Sequence, residues 1–420
     1  MSLSELTDVD FSIGIGARTV GRRDVDAEAA SLARTFESLG ERGSVVEVPA
    51  PDPLMLLGML EAAWKAGRVP LPCARARQCT VMDGVPLSDA SLVLRTSGSM
   101  GKPRLVAFDL GSVVLGARRI AGYLGLSAVD MVALLQPLEH GFGLVGQLFA
   151  ALAAGARAVW ASAPFPDEQA KTLNDAGATV VSAVSYTLTQ LLGSGLRPDR
   201  VRILGSAGGP MPRPLAERLV ETFPGATMWN QYGCTEAGPR LTACPSTSNA
   251  FWEGSVGSAI EGVTLAILDD GQVGFRTETA MREYLGDEDA TERARAGELW
   301  RTGDLGRLDD HGNLFLRGRV DEIVKVRGLK VSLREVAAAF EACGARAAVS
   351  FVDEESDPDG EATLSVVYES DAEIPRRALL GHLGLESLPS RTHRIDALPR
   401  LVSGKPDRKA IAKRFRKQSS

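Results

Sequence analysis

Between Ser91 and Phe223, short apolar runs alternate with longer amphipathic ones, and this alternation limits the fold more than any other feature. Val132 to Leu135, Ala158 to Trp160, Thr179 to Val181 and Val201 to Leu204 are apolar or β-branched runs of strand length. Asp167 to Ala176, Tyr186 to Leu192 and Pro214 to Phe223 carry apolar residues at helical spacing between them. Strands separated by helices are joined by crossovers, which favour parallel neighbours. The chain is therefore predicted to be α/β, with a mostly parallel sheet and helices on its faces. Upstream, Asp26 to Gly40 and Asp52 to Ala66 read as helices around a strand at Ser44 to Val48.

From Ser255 to Arg319 the pattern shifts to short strands and turns, such as Asp269-Asp270-Gly271 and Asp309-Asp310-His311-Gly312, which predicts a β subdomain. A boundary is expected near Asp321, giving a large domain over 1–320 and a small α+β domain over 321–420. In the small domain Ser332 to Cys343 reads as a helix, with Ser332 and Glu335 spaced as a capping box. Strands are expected at Ala347 to Val352 and Thr363 to Glu369, around the acidic turn Asp353 to Glu361.

Phe142 to Ala163 is the most apolar stretch, but Gln147, Arg157 and several glycines interrupt it. A buried helix over Leu144 to Ala154 and a strand over Arg157 to Ala161 explain it better than a membrane span. A net charge of −6 gives no argument for nucleic-acid binding. The five cysteines are scattered without CxxC spacing, so neither a zinc site nor a disulfide framework is indicated. The N-terminus lacks a signal pattern, and a reducing cytoplasm is the expected compartment.

After the apolar run Leu92 to Leu94 comes Thr96-Ser97-Gly98-Ser99-Met100-Gly101-Lys102-Pro103-Arg104. Glycines let backbone approach an anion, while amides, hydroxyls and one lysine supply donors and charge. The residues suit a phosphate cradle. Gly98 and Gly101 are too close for a Walker A loop, and Pro103 follows Lys102, which argues against a P-loop kinase or ATPase fold.

Further motifs follow in order. They are Asn230-Gln231-Tyr232-Gly233-Cys234-Thr235-Glu236, Arg301-Thr302-Gly303-Asp304, Gly318-Arg319-Val320-Asp321, Lys325 to Val331, and Ser403-Gly404-Lys405-Pro406-Asp407-Arg408. From about Ser91 to Arg408 this set resembles the adenylate-forming superfamily of acyl- and aryl-CoA ligases, peptide-synthetase adenylation domains and luciferases. The resemblance implies ATP-dependent conversion of a carboxylic acid to an acyl-adenylate with pyrophosphate release. Transfer to a thiol follows, on CoA or carrier-protein phosphopantetheine.

It also implies roles. Thr96, Ser97, Gly98, Ser99, Gly101 and Lys102 would hold the β- and γ-phosphates. Met100 and Arg104 depart from the usual Thr and Lys, and Met cannot donate a hydrogen bond. Glu236 would bind Mg²⁺, which is content with one carboxylate plus phosphate and water oxygens. Thr235 would contact the α-phosphate, Tyr232 would stack beside adenine, and Gly208 and Gly209 would form the backbone wall. Cys234 reads as a small filler rather than a nucleophile. Asp304 would accept from the ribose hydroxyls, with Arg319 as a second ribose or phosphate contact. Lys405 would bridge acid and α-phosphate. Asp321 would be the hinge on which the small domain swings, exchanging Lys405 for the Gly328 loop.

Gln136 to Gly143 resembles the ligases' acid-side segment, with His140 in a gating position and Glu139 replacing an aromatic residue. Gly141 stands where amino-acid-activating members carry Asp, so an α-ammonium group finds no counter-charge. With His140, Gly141, Ser185, Ala207, Gly208 and Gly233 as pocket wall, an aryl acid is expected first and an acyl acid second. The chain is shorter than typical members before Ser91. The basic residues Arg408, Lys409, Lys413, Arg414, Arg416 and Lys417 suit a CoA phosphate, an acidic carrier or a solvated helix face. Two other readings are an adenylating enzyme with an amine acceptor, and a member that binds nucleotide or acid without turnover.

Overall fold

The computed structural model describes residues 2–7, 10–96, 103–197, 199–326, 329–353, 363–384, 387–401 and 406–416. Its main sheet has nine strands. Their order across the sheet is Ser258–Ala259, Thr242–Pro245, Thr227–Tyr232, Ile203–Ala207, Val180–Ala183, Met131–Leu134, Arg157–Trp160, Ile13–Ile15 and Arg18–Val20. From Thr227–Tyr232 to Ile13–Ile15 every neighbouring pair is parallel. The outer pairs at both ends are antiparallel.

Helices Pro166–Ala176, Ser185–Leu192 and Arg213–Thr222 make the crossovers, as the alternation predicts. Their apolar stripes meet one face of the sheet, where Leu173, Leu188 and Leu219 share a buried cluster with Val181, Leu204 and Met228. The strands Ile13–Ile15 and Arg18–Val20 were not foreseen, because three residues are too few to display a period.

The expected buried helix over Leu144 to Ala154 forms, but Leu144–Phe149 is a π-helix and only Ala150–Ala153 is α. Two local ties accompany the wider turn. At Gly143 a Cβ would lie 2.3 Å from the Pro137 carbonyl oxygen, so backbones touch there. Gln147 accepts from Leu135 and Gln136 N–H (3.2 and 3.0 Å) and donates to the Ser182 carbonyl (2.6 Å). Among the described residues no helix is long and apolar enough to cross a membrane.

Packing divides the chain into two units. The first comprises Met1–Ala266, Gly274–Thr302 and Asp310–Leu314, and the second Ile267–Val273, Gly303–Asp309 and Phe315–Ser420. In the second unit, Ala347–Asp353 lies antiparallel to Thr363–Glu369, which lies parallel to Arg391–Ile395. Strand alternation gives this sheet two apolar faces. Ala348, Leu364, Val366 and Tyr368 pack with Val336 and Phe340 of helix Leu333–Ala342. Val349, Phe351 and Val367 pack with Ile411 and Phe415 of helix Arg408–Arg416. Ser332 caps the former helix, its hydroxyl accepting from Glu335 N–H (3.2 Å).

Candidate active site

Ligands of open parallel sheets collect at the carboxyl ends of the strands, where loops meet helix N-termini. Here Val180–Ala183, Ile203–Ala207 and Thr227–Tyr232 end side by side, with Ala183 opposite Ser206 and Ala207 opposite Gln231. Each strand releases expected site residues: Ser185 from the first, Gly208 and Gly209 from the second, and Gly233, Thr235 and Glu236 from the third. Tyr232 and Ala207 are the buried last residues of their strands.

Gly208 has φ +79°, a left-handed conformation that glycine adopts without strain. No atom lies within 4 Å of where a Cβ on Gly209 would project. Ser185, expected in the pocket wall, braces this loop. Its hydroxyl donates to the Pro210 carbonyl (2.5 Å) and lies 3.2 Å from the Ser206 hydroxyl.

The acid-side residues converge on Pro239. A Cβ on Gly233 would lie 2.1 Å from the Pro239 carbonyl oxygen, and one on Gly141 would lie 3.2 Å from the Pro239 ring. Leu94, Gly141, Val145, Thr235 and Pro239 line a small apolar hollow that joins the acid-side segment to the Thr235 turn. His140 precedes the turn Gly141–Gly143, and its Nε2 lies 3.9 Å from Glu139 Oε1. The other oxygen of Glu139 accepts from Ala74 N–H, so the residue that replaces the usual aromatic ties this segment down.

Glu236 sits half-buried in the 3-10 turn Thr235–Ala237. Its Oε1 accepts from the Tyr284 hydroxyl (2.7 Å). Tyr284 belongs to the strand Glu283–Tyr284, which pairs with Leu105–Phe108. That strand is in turn the return arm of the hairpin that begins at Leu92–Arg95. The Arg104 guanidinium lies 5.0 Å from the centre of the Tyr284 ring. Burial, then the Glu236 charge, push the Tyr284 phenol well above its ordinary pKa, so it stays a neutral donor.

Thr96 and Arg104 close the neck of the hairpin. Thr96 N–H donates to the Arg104 carbonyl, and the Thr96 hydroxyl accepts from Arg104 N–H, both at 3.0 Å. The cradle itself, Ser97, Gly98, Ser99, Met100, Gly101 and Lys102, lies outside the described residues. Among the described residues no group of three or more His, Cys, Asp or Glu could hold a metal unaided. Glu236 Oε2 takes no hydrogen bond from them, so a single open carboxylate oxygen fits Mg²⁺ shared with phosphate and water.

Behind the strand ends lies a polar cluster that the sequence did not announce. Arg240 and Gln231 are 5% and 3% exposed. Gln231 Oε1 accepts from Arg240 Nε (3.1 Å) and from the Tyr123 hydroxyl, while its Nε2 has no partner. The Arg240 guanidinium lies 4.5 Å from the centre of the Phe142 ring.

In the second unit Asp304, Arg319 and Asp321 meet. Arg319 donates through Nη1 to Asp304 and through Nε to Asp321, each at 3.0 Å. Burial opposes the Arg319 charge, but the two carboxylates outweigh it and hold its pKa above the ordinary range. Gly303 has φ +76° and brings its backbone against Arg319, 3.0 Å from Nη2 to where a Cβ would be. Lys405 and Gly328 lie outside the described residues. Next to Lys405, Pro406 bridges to Arg400, and Asp407 caps helix Arg408–Arg416. Arg408 pairs with the buried Glu322.

Tyr284, Arg240 and Tyr123 were missed from sequence. A lone Tyr in a two-residue strand or in a helix, or an Arg after Gly-Pro, carries no spacing signal. Only the buried position of Arg240 marks it as unusual.

Residues 80–285 match the family model of the AMP-binding enzymes. The chain is 29% identical over 339 residues to 4-coumarate–CoA ligase 2 of Oryza sativa subsp. japonica, covering 74% of this chain and 59% of that protein. It is 27% identical over 345 residues to 2-succinylbenzoate–CoA ligase of Bacillus cereus, covering 78% and 70%. It thus spans 59% and 64% of the length of two plant ligases that it resembles. The fold matches ATP-bound MatB from Rhodopseudomonas palustris with TM-score 0.84 at 18% identity, covering 100% of both chains. It also matches o-succinylbenzoate CoA synthetase from Bacillus subtilis in complex with its acyl-adenylate intermediate, with TM-score 0.80 at 20% identity, covering 96% and 95%.

Proposed function

We propose that this chain, which carries the AMP-binding domain of the adenylate-forming superfamily, is an ATP-dependent acid–thiol ligase. A carboxylate oxygen of the acid attacks the α-phosphorus of ATP, the bond to the bridging oxygen breaks, and pyrophosphate leaves. A thiolate then attacks the acyl carbon, and AMP departs with the electron pair. The acceptor is CoA or a carrier-protein phosphopantetheine, and the acid is aryl or acyl. Relatives named for 4-coumarate and 2-succinylbenzoate favour an aryl acid and CoA.

The observation that carries this reading is the row of strand ends. It presents the Gly208–Gly209 backbone, the Thr235 hydroxyl and a half-buried Glu236 carboxylate with one oxygen held by Tyr284 and the other open. Thr235 borders the apolar hollow shared with Gly141, which supports a reading in which the phosphate-contacting turn and the acid-side segment are neighbours. Bound Mg²⁺ would offset charge on the phosphates. Glu236 orients that charge, Asp304 accepts from ribose, Arg319 steadies Asp304, and Lys405 neutralises the attacking acid and the α-phosphate. Asp321 is the hinge between 1–320 and 321–420 in this reading, and its bond to Arg319 would break or persist as the small domain turns.

The test is acid-dependent ATP–pyrophosphate exchange with 4-coumarate, 2-succinylbenzoate, benzoates, acyl acids and α-amino acids, followed by transfer to CoA or a carrier protein. Exchange with an aryl or acyl acid supports the reading. ATP binding without exchange on any acid, or efficient activation of α-amino acids alone, overturns it. Lys405→Ala is expected to lower adenylate formation roughly a hundredfold or more while sparing thioester formation from supplied acyl-adenylate. Equal loss in both steps would remove Lys405 from the first.

A further inference from the structure

Resting on the reading that the chain activates a carboxylic acid, we propose that Arg240 anchors a second anionic group of that acid, so the preferred substrates are dicarboxylic. Arg240 is buried, yet among the described residues no carboxylate pairs with it. A guanidinium carries five N–H donors. All its hydrogen-bond partners are neutral: Nε donates to Gln231 (3.1 Å), Nη1 makes a long bond to the Pro239 carbonyl (3.4 Å), and the Tyr123 hydroxyl is a further partner. The Phe142 ring supplies a further, non-ionic contact.

The side chains hydrogen-bonded around Arg240 are neutral. Tyr123 spends its hydroxyl on the same Gln231 oxygen. Turning the Gln231 amide over would set its NH₂ against the guanidinium, so its orientation is fixed and Nε2 stays unpartnered. Tyr123, Arg240 and Gln231 thus share buried hydrogen bonds with one another but bring no anion, and among the described residues Gln231 Nε2 is left without an acceptor. Burial raises the Tyr123 pKa and lowers that of Arg240, so Tyr123 does not become the missing anion. A charge left this way is costly unless something arrives to pair with it.

The cluster is joined through the chain to the apolar hollow beside Thr235. Arg240 follows Pro239, and Phe142 follows Gly141, while Pro239 and Gly141 both line the apolar hollow beside Thr235. Gly146 keeps the approach to Nη2 free of a side chain, since its Cβ would stand 3.4 Å from that atom. At Gly205 a Cβ would stand 2.2 Å from Ser182 Oγ and 2.6 Å from Gln231 Nε2, so only glycine fits beside that buried amide. A carboxylate, with two acceptor oxygens, complements this buried cation better than a hydroxyl or a halogen. The same positive charge rejects an α-ammonium group.

The experiment is pyrophosphate exchange with succinate, glutarate, phthalate, isophthalate and terephthalate, each beside its monoamide. In the wild type at least one diacid should exceed its monoamide roughly a hundredfold in kcat/KM, because the amide leaves the buried cation unpaired. Arg240→Met should collapse that ratio through the KM for the acid and leave the KM for ATP unchanged. Arg240→Lys, a point charge without the fork, should keep only part of the ratio.

Monoamides that match diacids, or an Arg240→Met ratio equal to the wild type, would overturn the proposal while the ligase reading stands. If no acid supports exchange, the ligase reading fails separately, and calorimetric titration with the same diacids decides. Binding lost in Arg240→Met supports the anchor, whereas equal or absent binding overturns it. Should Arg240→Met not fold, an unchanged diacid preference in Arg240→Lys overturns it instead.

Discussion

Arg319 and Arg240 are both drawn away from water, yet their surroundings treat them in opposite ways. Arg319 keeps 37% side-chain exposure and holds a carboxylate at Nη1 and another at Nε. Arg240 is more deeply buried and has an amide oxygen, a peptide oxygen, the Tyr123 hydroxyl and an aromatic face, none of them an anion. Burial opposes charge at both. At Arg319 the carboxylates win and its pKa rises, while at Arg240 burial wins and its pKa falls. A cation whose counter-charges are part of the chain belongs to the architecture of its own loop. A buried cation whose counter-charge is missing invites a partner from outside.

The comparison breaks most visibly at Asp304. If Asp304 serves both ribose and Arg319, Asp304→Ala should lower kcat/KM for ATP roughly a hundredfold, since two charge-assisted bonds are worth about 3 kcal/mol together. Calorimetric ATP affinity that stays at the wild-type value while the melting temperature falls would reduce Asp304 to a partner of Arg319.

A smaller effect sharpens the contrast between the arginines themselves. Arg319→Met leaves Asp304 and Asp321 with no cation between them. It should cost about 1 kcal/mol of stability, a value kept low because the pair is partly solvated. Arg240→Met exchanges an unpaired buried charge for an apolar chain of similar length, and should leave stability unchanged or raise it. Urea denaturation of both variants checks this. A larger loss at Arg240 than at Arg319 would make Arg240 a structural residue.

The parts that sequence made legible are those whose chemistry is local. Apolar periodicity located Pro166–Ala176, Ser185–Leu192 and Arg213–Thr222 to within a residue or two, because a helix stripe is written in its own residues. The Gly208–Gly209 and Thr235–Glu236 loops were singled out through the family resemblance, and in the fold each follows the end of a parallel strand. Tyr284 is 48 residues from Glu236, and Arg240 is 98 residues after Phe142, so those pairs exist only through the sheet. The π-helical turn at Leu144–Phe149 was hidden for the same reason, since Gln147 is bonded to Gln136, just past one strand, and to Ser182 on another.

Tyr284 offers the finest division between what is built in and what is left open, because Glu236 has one oxygen in each state. Tyr284→Phe keeps the ring on which Arg104 lies and removes only the hydroxyl that holds Glu236 Oε1. Carboxylate orientation is then lost without loss of the carboxylate. The Mg²⁺ concentration for half-maximal adenylation should rise roughly tenfold, while the rate at saturating Mg²⁺ stays within about threefold. Unchanged half-saturation would mean that Glu236 does not depend on this bond. The same variant carries a pH signature. Tyr284 has a raised folded pKa, so an unfolded tyrosine releases its proton near pH ~10 while the folded one retains it. The folded chain then binds more protons than the unfolded one, and this residue's contribution to stability is full below pH ~10 and declines as pH rises above it. Phenylalanine cannot titrate, so the stability of the wild type relative to Tyr284→Phe should fall between pH 8 and pH 10.5 in urea denaturation. A constant difference across that range would show that the phenol is not held neutral, and the bond to Glu236 would lose its basis as a fixed donor.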